Sequence, residues 1–124
     1  MELKDKVTVS VTPSLNKLHS NRWQMLNWKK QYLGELRNYD LAYGLEKPTK
    51  TKLTIIRYGS RLLDIDNLNG GCKPLIDSIK QLCLIWDDSP KWCEIHISQQ
   101  LCPRLQEKTE FYIEYENNKE GGGI

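Results

Sequence analysis

Residues 64–88 read D-I-D-N-L-N-G-G-C-K-P-L-I-D-S-I-K-Q-L-C-L-I-W-D-D. Apolar residues at 72, 75, 76, 79, 82 and 83 recur at helical spacing, so Cys72–Cys83 carries one buried helical face. Pro74 suits a first helical position, which starts the helix proper near Lys73 or Pro74. Residues 67–71 then form a turn or a separate short coil. Asp77 falls in the first turn, where its charge complements the helix dipole. A helix of this kind has to pack on something, and the flanking segments are β-rich.

Upstream, Lys52-Leu53-Thr54-Ile55-Ile56-Arg57-Tyr58 reads as a strand, closed by Gly59-Ser60. Before it, Met25, Trp28, Tyr32 and Leu36, with Leu33 beside them, form an apolar stripe on a helix from Ser20, the N-cap, to about Asn38. Trp23, Trp28 and Tyr32 are expected in the core, and Leu15–His19 in a loop. Val7, Val9 and Val11 alternate with polar residues and mark a first strand. Downstream, Cys93, Ile95 and Ile97 alternate with Trp92, Glu94 and His96, and Thr109–Tyr115 alternates again. The order β-α-β-α-β-β predicts a small α/β domain of the α+β type. It has a four-stranded mixed sheet with helices packed on it, over residues 1–116. Residues 117–124 contain Gly121-Gly122-Gly123 and form a flexible tail.

The chain has 124 residues, enough for one modest core. No apolar run approaches a membrane span, and the start M-E-L-K-D-K lacks the apolar segment of a signal peptide, so a cytoplasmic protein is expected. The four cysteines, at 72, 83, 93 and 102, contain no C-x-x-C pair and are expected as reduced thiols, mostly in the core. Cys93, His96 and Cys102 lack the paired spacing of a zinc site, and His96 is expected at the surface. Residues 1–63 hold 12 Lys and Arg against 5 Asp and Glu, whereas residues 64–124 hold 6 against 11. A basic half and an acidic half suit a polyanion that one half holds and the other processes.

The acidic half carries the chemistry. In an extended segment Asp64 and Asp66 point to one face. Two carboxylates that close repel, and a divalent cation relieves the repulsion. Asp87-Asp88 supplies a further ligand if the intervening helix returns the chain. The EF-hand pattern fails, because position 68 is Leu and position 75 is Leu where Glu is required. No Walker-type loop supports a nucleotide cofactor, and no G-x-S-x-G motif is present. A carboxylate-held metal with a lysine nearby suits phosphodiester hydrolysis: the metal acidifies a bound water, and Lys73 neutralises developing charge.

The residues D-I-D-N (64–67), Lys73-Pro74-Leu75-Ile76-Asp77-Ser78-Ile79 and Asp87-Asp88-Ser89 resemble the RusA family of Holliday junction resolvases of bacteria and their phages. Pro13-Ser14-Leu15-Asn16-Lys17 is similar to that family's P-P-S-x-N-[RK] segment, with Thr12 in place of the first proline. The resemblance runs from about Val7 to Tyr115. It implies that Asp64, Asp66 and Asp88 are the metal-binding catalytic aspartates, that Asp87 is a less central member, and that Lys73 is the active-site lysine. It also implies a homodimer making paired, Mg²⁺-dependent nicks. The stretch Leu-Asn-Gly-Gly-Cys before Lys73 is longer than the family pattern, and Gly70-Gly71 either loops out or displaces Lys73 by a helical turn.

The expected activity is therefore a Mg²⁺-dependent endodeoxyribonuclease that resolves four-way DNA junctions, with Mn²⁺ able to substitute. Lys17, Arg22, Lys29, Lys30, Arg57 and Arg61 are candidate phosphate contacts. Two rivals stand beside this reading. One is a branched-DNA-binding protein that does not cut. The other is a nuclease for flaps or forks.

Overall fold

The structure is a computed structural model of the chain, and residues 3–19, 22–39 and 44–116 are described. Strand β1 (Leu3–Val9) precedes helices α1 (Leu15–His19) and α2 (Arg22–Arg37). Strand β2 (Thr51–Gly59) is followed by α3 (Ile65–Gly71), α4 (Lys73–Gln81) and β3 (Cys93–Leu101). A 3-10 turn at Arg104–Gln106 leads into β4 (Lys108–Tyr115). The sheet order is β1-β4-β2-β3, with β4 antiparallel to both β1 and β2, and β3 parallel to β2. This is the predicted small α+β domain with a mixed four-stranded sheet, to which α1 and α3 add two short helices.

Alternation decides which face the helices cover. In β2, residues Thr51, Leu53, Ile55, Arg57 and Gly59 are buried, and the residues between them turn to the opposite, open face. Helices α2 and α4 pack on the buried face. Tyr32 and Leu36 from α2 and Leu75 and Ile79 from α4 meet Leu53, Ile55, Phe111 and Ile113. Removing each such side chain from water contributes about 1.5–3 kcal/mol. Pro74 sits in the first turn of α4, as its missing N–H favours. Cys83, with φ 62°, ends the helix in the left-handed conformation, and Leu84 N–H donates back to Ile79 O.

Several expectations are corrected. Strand β1 stops at Val9, short of Val11, and the expected loop 15–19 is helix α1. Segment 67–71 lies in α3 rather than in a turn, because Asp64 supplies the cap that starts a helix there. Asp77 is one residue beyond the first turn of α4 and pairs with Lys73 at 3.6 Å. Trp23 is 65% exposed, whereas Trp28 packs against the core and lies 5.6 Å from the Tyr32 ring. All four cysteines are free, but only Cys72 and Cys93 are buried; Cys83 is exposed. Burial pushes the Cys72 thiol up to about 11. Ser20 and residues 117–124 lie outside the described residues. Among the described residues no helix is long and apolar enough to cross a membrane.

Candidate functional site

Asp64 is the N-cap of α3, with extended backbone at φ −66° and ψ 165°. Its Oδ1 accepts from Asn67 N–H at 2.9 Å, and Asn67 Nδ2 donates to both carboxylate oxygens at 3.2 and 3.1 Å. The backbone bond from Asn67 is the largest cause that holds the Asp64 carboxyl below its ordinary value, and the side-chain bond adds to it. Asp66 is exposed in the first turn of the helix. The two carboxylates therefore stand at a helix start, and the extended, same-face arrangement expected for them is not formed. Asp64 remains a charged, oriented acceptor.

Asn67 also faces the other way. Its Oδ1 accepts from Asn16 N–H at 2.9 Å, so one side chain joins the Asp64 cap to helix α1. The two motif segments 13–17 and 64–67, 51 residues apart at this bond, are thus adjacent. Gly70 and Gly71 form the seam. A Cβ on Gly71 would lie 1.8 Å from Pro13 O, and one on Gly70 would lie 2.8 Å from the Leu15 methyl carbons. The two glycines are helical and packed, and they do not loop out. Lys73 lies past this seam, 63% exposed and paired with Asp77, so it stands a whole short helix away from Asp64.

Beside the seam opens a cleft of about 380 Å³. Three of the six predicted phosphate contacts, Lys17, Arg57 and Arg61, line it, and Arg104 joins them. Arg22, Lys29 and Lys30 belong to α2 and do not line it. Arg57 is only 9% exposed; its Nε donates to Thr12 O at 2.8 Å and its Nη1 to Arg61 O at 3.4 Å. The single acid of the cleft, Glu107, accepts from Ser60 N–H and from Ser60 Oγ, both at 2.7 Å. Those bonds, the backbone one first, hold its carboxyl below the ordinary range. Leu63 closes the cleft next to Asp64, and Gln99 clamps the Leu63 backbone through bonds of 2.9 and 2.7 Å.

The second acidic group lies elsewhere. Asp87 and Asp88 are half-buried, and Lys80 Nζ approaches them at 2.8 and 3.7 Å. The Lys80 bond is the main reason the Asp87 carboxyl is lowered to about 2, with Ser89 adding to it. This pair stabilises the fold above the ordinary carboxylate range, and the contribution is lost as pH falls through about 2. In a Lys80→Met variant the Asp87 carboxyl is expected to return toward 3.9, read by carbon NMR titration of the side chain.

The register separates the two groups. Thr51 lies opposite Cys93 and Gly59 opposite Leu101, so β2 and β3 run parallel over nine residues each. Asp64 and Asp66 follow the C-terminal end of β2, whereas Asp87 and Asp88 precede the N-terminal end of β3. Leu84 O, just before them, accepts from Tyr115 OH at that same far end. The separation is on the order of 20 Å, at about 3.3 Å per residue along the strand. The helices carry the chain away from Asp64 and do not bring the acids together. Among the described residues no three His, Cys, Asp or Glu side chains are grouped to hold a metal, so one chain does not fit the expected cage of Asp64, Asp66 and Asp88. The same holds for Cys93, His96 and Cys102; His96 is exposed and bonds to Glu94.

Arg104 is the site residue that the sequence left unassigned; Asn67 entered only as the last residue of D-I-D-N, and Trp28 only as a core residue. Arg57 and Arg104 are 47 residues apart, and only the contact between β2 and the 3-10 turn joins them. No protein-family model matches the chain, and a comparison with curated proteins finds no match.

Proposed function

We propose that the chain is a divalent-cation-dependent endodeoxyribonuclease that acts on branched DNA, four-way junctions above all, as a homodimer. One observation carries the reading: segments 13–17 and 64–67 meet through Asn67 beside a cleft lined by four cations. A helix-capping carboxylate next to a basic cleft suits a strand whose phosphates are held while one is attacked. On this reading the protein works in the cytoplasm, on bacterial or phage DNA.

The separated acids support two chains per site. Strand β3 is an edge, and nothing in the described sheet covers its outer side. Thr51 N–H donates to Trp92 O and Cys102 N–H to Gly59 O, so even-numbered residues of β3 bond to β2. Ile95, Ile97 and Gln99 therefore turn their backbone groups outward. The strand, C-E-I-H-I-S-Q-Q-L, contains neither the lysine nor the proline that blunts exposed edges. A second copy paired antiparallel about a two-fold axis near Ile97 sets the Asp87-Asp88 end of each chain against the Asp64-Asp66 end of the other. The partner also covers exposed apolar residues at both ends of the strand: Leu62, Ile65 and Leu101 at one, Trp86 at the other.

When bound by carboxylates of this kind, a Mg²⁺ ion supplies an acidified water and a counter-charge for phosphate. The residues of the chain do the rest. Asn67 orients the Asp64 carboxylate, the cleft cations hold the strand, and Asp66 faces solvent where a phosphate would approach.

A four-way junction incubated with Mg²⁺ tests this. Cleavage is expected for the native chain, with linear duplex spared. Asp66→Asn is expected to lower cleavage at least about a hundredfold, in the range seen when a group that stabilises developing charge is removed, while gel-shift binding persists. A native chain that binds junctions but never cuts any branched DNA overturns the nuclease reading.

A further inference from the structure

The cleft at Arg57 is lined by four cationic side chains and one carboxylate. Among the described residues, none of Arg57, Arg61 and Arg104 forms an ion pair with a carboxylate. Glu107 is committed to Ser60. Arg57 is buried, and the one carboxylate of the cleft, Glu107, feels the charge of both Arg57 and Arg104, so a single acid balances four cations there. Arg57 has five N–H donors, and the two carbonyl bonds leave three of them unused. The cleft thus carries a net positive charge, and its lining residue Leu63, next to Asp64, is clamped by Gln99.

One wall of the cleft is Trp28. Its ring is held by Tyr32 and by the core, so it offers a fixed aromatic surface. Guanidinium groups and an indole lining one cleft match the two parts of a nucleotide, phosphate and base. A volume of about 380 Å³ lies at the small end of ligand pockets, suited to one such unit. A base inside a paired stack cannot enter; only a nucleotide that has left the duplex can.

We propose that this cleft receives a single unstacked nucleotide of the bound DNA strand, its phosphate on Arg57, Arg61 and Arg104 and its base against Trp28. The inference rests on the DNA reading above, but on neither the metal nor cleavage. It narrows the substrate class to branched DNA, four-way junctions included, in which a nucleotide at the branch point can leave the stack.

The test measures binding in EDTA, so that no strand is cut. Three DNAs of equal length are compared: a fully paired duplex, a four-way junction, and a fork with unpaired 2-aminopurine at the branch. The fork is expected to bind about tenfold more tightly than the duplex, with quenching of 2-aminopurine by the indole. Trp28→Leu is expected to abolish that advantage and Trp28→Phe to keep most of it. Both retain an apolar side chain against Tyr32, and circular dichroism checks the fold. Arg61→Ala and Arg104→Ala are each expected to weaken binding to all three DNAs and to lower the salt slope by about one. Equal binding of duplex and fork overturns the proposal, as does an unchanged ratio in Trp28→Leu. If the protein binds and cuts junctions without that ratio, only this inference falls. If it binds no DNA of any form, the function proposed above falls with it.

Discussion

A mixed dimer of Asp66→Asn and Asp88→Asn chains is expected to regain nicking that neither variant shows alone. If each site draws Asp64 and Asp66 from one chain and Asp88 from the other, a dimer of either variant has two damaged sites. In the mixed dimer both substitutions fall in one site, and the second site is whole. Random reassortment makes half the dimers mixed, so about a quarter of native sites return. The product should be single nicks, because paired cuts need two working sites. If all three aspartates act within one chain, both sites of the mixed dimer stay damaged and mixing returns nothing. The measurement is nicking of a labelled junction after co-refolding the two variants, compared with each alone. It reads the parallel register of β2 and β3 directly, since that register is what divides the acids between two ends.

Replacing Gly71 with alanine is the substitution expected to harm the fold most for its size. The added carbon would lie 1.8 Å from Pro13 O and 2.9 Å from Pro13 C. Both are backbone atoms, so no flexible side chain can yield. Overpacking of a tight site costs about 1–3 kcal/mol, and a clash this close with main chain belongs at or above the upper end. At about 3 kcal/mol the midpoint of thermal unfolding should drop by roughly 10–15 °C, which calorimetry reads. Gly70→Ala should be milder, because the atoms nearest its added carbon belong to the Leu15 side chain, which can turn away. Equal effects at the two positions would contradict the seam as described. The same substitution should widen the cleft, since Pro13 and Ser14 line it.

Much of the fold was legible because its main elements are long enough for a period to show. Helix α4 spans nine residues with an apolar face, and β2, β3 and β4 alternate over eight or nine. Helices α1 and α3 were missed because five and seven residues make too few turns for a period to be read. Asp64 shows why the site was only partly legible. A carboxylate at a helix start and a carboxylate on a metal are the same residue in the same kind of acidic stretch, and only the backbone distinguishes them. Whether α3 and α4 return the chain or carry it away also depends on the direction of β3, which alternation does not encode. Arg57 did leave a signal. It shares parity with Leu53 and Ile55, so a strand reading places a guanidinium on the inner face, where a charge needs a counter-charge. Arg104 left none, because its connection to the cleft is made only by the tertiary fold.

The outer side of β3, which no strand of the described sheet covers, also bears on handling the protein. A nine-residue strand whose odd-numbered residues turn N–H and C=O groups outward, with a single charged side chain, Glu94, is a template for any other extended chain. The surface proposed to pair with a second copy would also seed disordered association. Yield at high concentration should therefore depend on how quickly the edge is occupied. A lysine introduced at Ser98, whose side chain is exposed on the open face, would act as a gatekeeper that slows such growth.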